Sequence, residues 1–150
     1  MPEMHVLITR LVIAGLLGGL IGAEREFRAK IAGTRTHLLV AVGAALILIV
    51  SRYGFDGQGD PSRVAAQVVS GIGFIGAGAI MVNKQAVHGL TTAAGIWVAA
   101  GIGMAVASGL YAVGVAATVI SLVGLEVVGW LFRKSRARKN PEAREDSLTD

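Results

Sequence analysis

The sequence predicts an all-α, polytopic transmembrane bundle of about five helices packed through Gly/Ala/Ser faces, and three observations lead there. Hydrophobic residues make up 53% of the 150 positions and charged residues 16%, with a mean hydropathy of +0.64, a balance that soluble domains of this size rarely show. The charges are gathered into short clusters between long apolar runs, the pattern of a chain that crosses about 30 Å of hydrocarbon several times. Twenty-one glycines fall largely inside those runs. In a soluble helix each would cost roughly 0.5 to 1 kcal/mol against alanine, whereas between membrane helices small residues permit close approach. One transmembrane domain, residues 1–132, and a basic and then disordered cytoplasmic tail, residues 133–150, account for the length.

The first apolar run, Val6 to Ala23, contains Arg10 near its start and ends at Glu24-Arg25-Glu26. It leads into a charged loop with no small-residue cleavage pattern, so it reads as a spanning helix and not as a leader. Gly15, Gly18 and Gly22 line one side of it. The second run, near Gly33 to Tyr53, places Arg35 and Arg52 at opposite interfaces, where their long side chains can snorkel to water. A turn-rich loop, Gly54 to Pro61, follows. Asp60-Pro61 then supplies an N-cap oxygen and a first-turn proline for the third run, Val64 to Val82, which carries no charge. Gly71, Gly73 and Gly76 in it match a dinucleotide fingerprint, but neither the preceding strand nor the later acidic residue that such a site requires is there. On a helix, Ala66, Ser70, Gly73 and Ala77 form a face with almost no side chain, so this run is expected to be the packing centre of the bundle.

A short polar connection, Asn83 to Gly89, precedes the fourth run, Leu90 to Ala107, in which Gly95, Ala99, Gly103 and Ala107 repeat every four residues. Ser108-Gly109 allows a tight reversal into the fifth and longest run, Leu110 to Phe132. Asn140 to Asp150 is polar and reads as disordered. Five crossings with the tail inside leave eleven basic residues on the cytoplasmic side and three, Arg10, Arg52 and Arg63, outside. The positive-inside rule therefore sets the N-terminus outside and the C-terminus in the cytoplasm. Tyr53 and Tyr111 then fall at the outer interface and Trp130 and Phe132 at the inner one, while Trp97 lies off both belts and is expected to be a packing residue.

This topology gathers the polar residues into two groups. Glu24, Arg25, Arg35, Thr36, His88, Thr91 and Thr92 fall at the inner edge, and Arg10, Asp60, Arg63, Gln67 and Ser70 at or below the outer one. Each is readable as an anchor or cap, or as part of a vestibule that binds an ion or a partner. Glu24 and Arg35 are expected to pair across the inner edge. Glu126 stands apart, deep enough in the last run to need a partner or a proton. The chain has no cysteine, which excludes thiol chemistry, and His5, His37 and His88 lack metal-ligand spacing, so no metal site and no cofactor are expected. Magnesium prefers carboxylates and retained waters; Asp56 with Asp60, or Glu24 with Glu26, offers at most a loose hydrated site. No Ser/His/Asp grouping, phosphate-cradling loop or close carboxylate pair points to an enzyme. The net charge of +4 sits mainly in the tail and fits anionic lipid better than nucleic acid.

Several segments together resemble the membrane domain of the MgtC/SapB family (also called MgtC/SapB/SrpB/YhiD), over roughly Arg10 to Tyr111. They are Gly18-Gly-Leu-Ile-Gly-Ala-Glu-Arg25, Ala32-Gly-Thr-Arg-Thr-His37, Asp60-Pro-Ser-Arg63, Val69-Ser-Gly-Ile-Gly-Phe-Ile-Gly-Ala-Gly78 and Gly89-Leu-Thr-Thr-Ala-Ala94. The resemblance implies a bacterial inner-membrane protein associated with growth at low magnesium and, in some pathogens, with survival inside macrophages. It also implies a regulator more than a pump, with the proton-translocating ATP synthase as one kind of partner. The sequence departs from the pattern at His88, where a basic residue usually precedes Gly-Leu-Thr-Thr, and at Thr34, where leucine is common. Longer members carry a soluble C-terminal domain where this sequence has its short tail. The expected function is thus adaptation to low Mg²⁺ by binding partners in the bilayer, with a cation transporter or channel as the alternative. Because small faces exceed what five helices need among themselves, a homodimer is also expected.

Overall fold

The computed structural model describes residues 2–55, 60–83 and 86–139, with backbone only from residue 128 on. Five helices, α1 (Met4–Phe27), α2 (Thr34–Tyr53), α3 (Pro61–Gly78), α4 (Leu90–Ala107) and α5 (Tyr111–Lys139), form the bundle, with two short strands, β1 (Met81–Asn83) and β2 (Ala86–His88), between α3 and α4. Three of them, α1, α2 and α4, are long and apolar enough to cross a membrane. The described apolar part of α5 is shorter, Tyr111–Val127, and α3 carries Arg63 and Gln67 within its 18 residues.

Small residues set how the helices meet. In α1, Gly15, Gly18 and Gly22 face α2: a Cβ at Gly18 would lie 2.6 Å from Ala41 Cβ, and one at Gly22 2.6 Å from Thr34 Cα. These positions pair late residues of α1 with early residues of α2, so the two helices run antiparallel. Between α2 and α4 the pairing rises on both sides, His37 with Gly95 and Ala41 with Gly103, so those two run parallel. Gly76 near the end of α3 faces Ala93 near the start of α4, and Gly114 at the start of α5 faces Val106 near the end of α4. All five helices therefore alternate in direction between two ends of the bundle, one marked by Arg10 and the other by Glu24.

The packing centre is α4, which touches each of the other four helices. Ile96, Ala99, Ala100, Ile102, Val106 and Ala107 on it are all buried, along one side of the helix, while Thr91, Ala94 and Trp97 on the other side are exposed. This corrects the assignment of the third run. Helix α3 lies at the edge, against α4 and more sparsely against α2, through Val68, Ile72 and Gly76. The face of Ala66, Ser70, Gly73 and Ala77 is exposed, and among the described residues nothing lies within 4 Å of a Cβ placed on Gly73. Burying Val68 and Ile72 removes more apolar area from water than burying the small face would, while Val69, Phe74 and Ile75 on the same helix are exposed. Trp97 is 53% exposed and is not a core residue.

The third run, expected as helix to Val82, ends its helix at Gly78; Met81 and Val82 instead join the polar connection in a hairpin, β1 antiparallel to β2 with Val82 opposite Val87, and both strands are exposed. Gly89 follows at φ +90°, where a side chain would overlap the Ala79 carbonyl, so only glycine lets the chain pass from β2 into α4. Lys84 lies outside the described residues, as do Asp56 and the stretch 140–150; nothing is described of the side chains of Trp130 and Phe132.

Candidate functional site

The bundle places its polar chemistry at the Glu24 end, where the last turn of α1, the first turn of α4 and the middle of α5 converge. Arg25 is only 4% exposed. Its Nη2 donates to Thr92 Oγ1 at 3.3 Å, and its Nη1 lies 3.8 Å from Glu24 Oε2. Arg28, just past α1, is the bridge of the group: its Nε sits 2.6 Å from Glu24 Oε1, and its Nη2 forms an ion pair with Glu126. These two carboxylates, Glu126 first, hold the Arg28 guanidinium above its ordinary pKa, with burial opposing. Glu126, isolated in the sequence, thus finds its partner on the loop after α1.

Glu24 pairs with Arg28 and not with Arg35, which corrects the expected bridge. Arg35 is exposed and forms no ion pair among the described residues. The acidic residue near it is Glu26, whose Oε2 instead accepts from the Thr34 N–H at 2.9 Å, taking up an orphan donor at the start of α2. Thr36 is half-buried beside it. His37 is fully buried; its Nδ1 donates to the Gly33 carbonyl at 2.9 Å, and its Nε2 has no partner among the described residues.

Against this group lies a cavity of about 680 Å³. Arg25, Arg28, Lys30, Thr91, Thr92 and Ser121 give it a polar mouth, and Ile21, Val98 and Leu125 an apolar wall. Among the described residues no carboxylate lines it. Among the described residues there is no group of three or more His, Asp or Glu side chains that could hold a metal ion. Arg28, Lys30 and Glu126 thus join Glu24, Arg25, Thr91 and Thr92 only in the fold. Proximity in sequence to Glu24-Arg25 was the one signal for Arg28.

At the Arg10 end the expected group does not converge. Arg10 donates to the Ala107 carbonyl at 2.6 Å and to the hydroxyls of Tyr53 and Tyr111 at 3.4 and 3.3 Å, tying α1 to α2, α4 and α5. Asp60 is engaged with its own helix, accepting from the Ser62 N–H at 2.9 Å and the Ser62 hydroxyl at 2.7 Å. Those bonds, the side-chain one first, hold its carboxyl below the usual range. Arg63, Gln67 and Ser70 are exposed on α3; Gln67 borders a groove of about 550 Å³ between α2 and α3 whose other walls are apolar.

A family model described as the MgtC family matches residues 11–134. Among curated proteins, the chain is 54% identical over 127 residues to "Putative magnesium transporter YhiD" of Escherichia coli strain K12, covering 80% of this chain and 59% of that protein. It is 49% identical over 119 residues to "Protein MgtC" of Salmonella typhimurium, covering 79% and 51%. It is 40% identical to an uncharacterised protein of Haemophilus influenzae, covering 92% and 63%. The chain thus spans between about half and three fifths of the length of these relatives. No solved structure matches it. The match over residues 11–134, which takes in the helices that build both ends of the bundle, establishes that this chain belongs to the MgtC family.

Proposed function

We propose that this membrane protein serves adaptation to low magnesium by binding partners within the bilayer, and that it neither conducts the ion nor catalyses a reaction. The printed name of the Escherichia coli relative supports the link to magnesium. The observation that carries the mode of action is the charge of the cavity wall: its ionised side chains are Arg25, Arg28 and Lys30, which repel a divalent cation. Carboxylate and carbonyl oxygens are what magnesium requires, and the two carboxylates nearby, Glu24 and Glu126, are engaged with arginine.

The reading extends to placement. We place the Glu24 end on the cytoplasmic side of the bacterial plasma membrane, with the N-terminus outside, and the concentration of basic residues at that end supports this. The exposed small face of α3 is suited to a second membrane helix, either in a homodimer or in a heteromeric partner such as a proton-translocating ATP synthase. The contrary reading, a cation transporter, draws on the printed name of the Escherichia coli relative.

A photo-reactive residue placed at Ser70, in cells grown at low magnesium, tests the binding mode. The expected result is a discrete cross-linked species above the monomer, formed at Ser70 and not at the lipid-facing control Leu16. Monomer alone at both positions would count against it.

A further inference from the structure

We propose that the cavity at the Glu24 end binds a phosphate-type oxyanion, held by Arg25, Lys30 and the amino end of α4. Three features meet there. The charged side chains on its wall, Arg25, Arg28 and Lys30, are all cations. Arg25 is 4% exposed and borders the cavity, and its buried Nε has no partner among the described residues. The third is the start of α4: its cap residue is Gly89, which has no side chain to offer, and no side-chain cap is made. The first bond within the helix is Ala93 N–H to Gly89 O, so the N–H groups of Leu90, Thr91 and Thr92 have no acceptor in the helix. Such a terminus carries about half a positive charge and favours anions.

The charge balance makes the group incomplete as it stands. Glu24 and Glu126 both turn to Arg28, and the closest approach of Glu24 to Arg25 is 3.8 Å. An arginine stays protonated in essentially any protein environment, and a buried charge without close compensation is costly. A tetrahedral oxyanion, with several acceptor oxygens, can take the Thr91 and Thr92 amides and the Lys30 ammonium together, beside the Arg25 guanidinium that borders the same cavity. Two sources supply that chemistry. One is free inorganic phosphate; the other is the headgroup of an acidic phospholipid, for which the apolar wall of Ile21, Val98 and Leu125 would receive an acyl chain.

The test uses the full chain in phosphatidylcholine nanodiscs, with thermal stability as the readout. One arm adds inorganic phosphate, with chloride at equal ionic strength as reference, and the other exchanges part of the lipid for phosphatidylglycerol. Stabilisation in the first arm assigns free phosphate and in the second a lipid headgroup. In whichever arm responds, Lys30→Gln, a change at an exposed residue, should weaken the apparent affinity by about tenfold, as should Arg25→Gln if that variant folds, while Arg63→Gln at the opposite end leaves it unchanged. No stabilisation in either arm, an equal effect of chloride, or equal loss in Lys30→Gln and Arg63→Gln would overturn the proposal.

Discussion

Gly103 shows how much a single side chain decides in this bundle: a Cβ there would overlap the Ala41 carbonyl oxygen, whereas one on Gly73 would meet nothing within 4 Å among the described residues. Gly103→Ala should therefore destabilise the protein by on the order of 2 kcal/mol through forced separation of α2 and α4. Gly73→Ala should be neutral, or stabilise by up to about 1 kcal/mol through helix propensity. Thermal unfolding in detergent separates the two, and an equal effect would mean that α2 and α4 do not meet there. In the ion-pair group Arg28 serves both Glu24 and Glu126, so losing it strands a half-buried carboxylate, while Glu126→Gln releases only one arm. Arg28→Gln should lower the melting temperature more than Glu126→Gln does, and Glu24→Ala should lower it less than Arg28→Gln because Arg28 keeps Glu126; a larger loss in Glu126→Gln would contradict the bridge. Asp60 carries a pH dependence. Its pKa is lowered in the folded state, so its capping contribution is fully present above the ordinary carboxylate value and is lost as pH falls through the lower folded one. Hydrogen-exchange protection of the first turn of α3 should drop in acid below about pH 4 and stay flat in Asp60→Asn. An acid-insensitive wild type would dismiss the cap.

At the scale of elements, the helices were legible in the sequence because apolar runs bounded by charges are a strong signal, and the motif Asp60-Pro61 marked the start of α3 to the residue. The glycine periodicity of α1 likewise reads directly as the seam with α2. What the sequence could not reveal was which face of α3 meets a neighbour. Spacing places Ala66, Ser70, Gly73 and Ala77 on one side of α3, but Val68 and Ile72 on another side win the contact with α4 because they bury more area. The hairpin of β1 and β2 was illegible, since three-residue strands carry no usable alternation. The site was legible in halves: Glu24-Arg25 and Thr91-Thr92 stood out as interface polar pairs, whereas the Arg28–Glu126 pair depends on α1 and α5 running parallel, which no local pattern encodes. The same alternation of direction makes a topological prediction. In this cysteine-free chain, single cysteines at Phe55 and Lys30, at opposite ends of α2, should label from opposite sides of the membrane, the first from outside. Labelling of both from one side would exclude α2 as a crossing.

For the molecule as a whole, the two ends differ in kind. The Glu24 end is a connected polar group around a cationic cavity, and the Arg10 end is a set of separate caps and ties. Between them the interior is filled by Ala14, Ile21, Ala45, Ile102 and Val106, all fully or nearly fully buried, with no line of oxygen ligands among the described residues. Dehydrating magnesium without replacing its waters costs far more than such an interior returns, and this supports the proposal that the protein binds at its edges. Magnesium flux into proteoliposomes containing only this chain, followed with an enclosed magnesium-sensitive dye, tests that directly. The expected trace is indistinguishable from protein-free liposomes, with and without a membrane potential. A saturable influx that is lost in Asp60→Asn or Glu24→Gln would contradict it and make the protein a transporter.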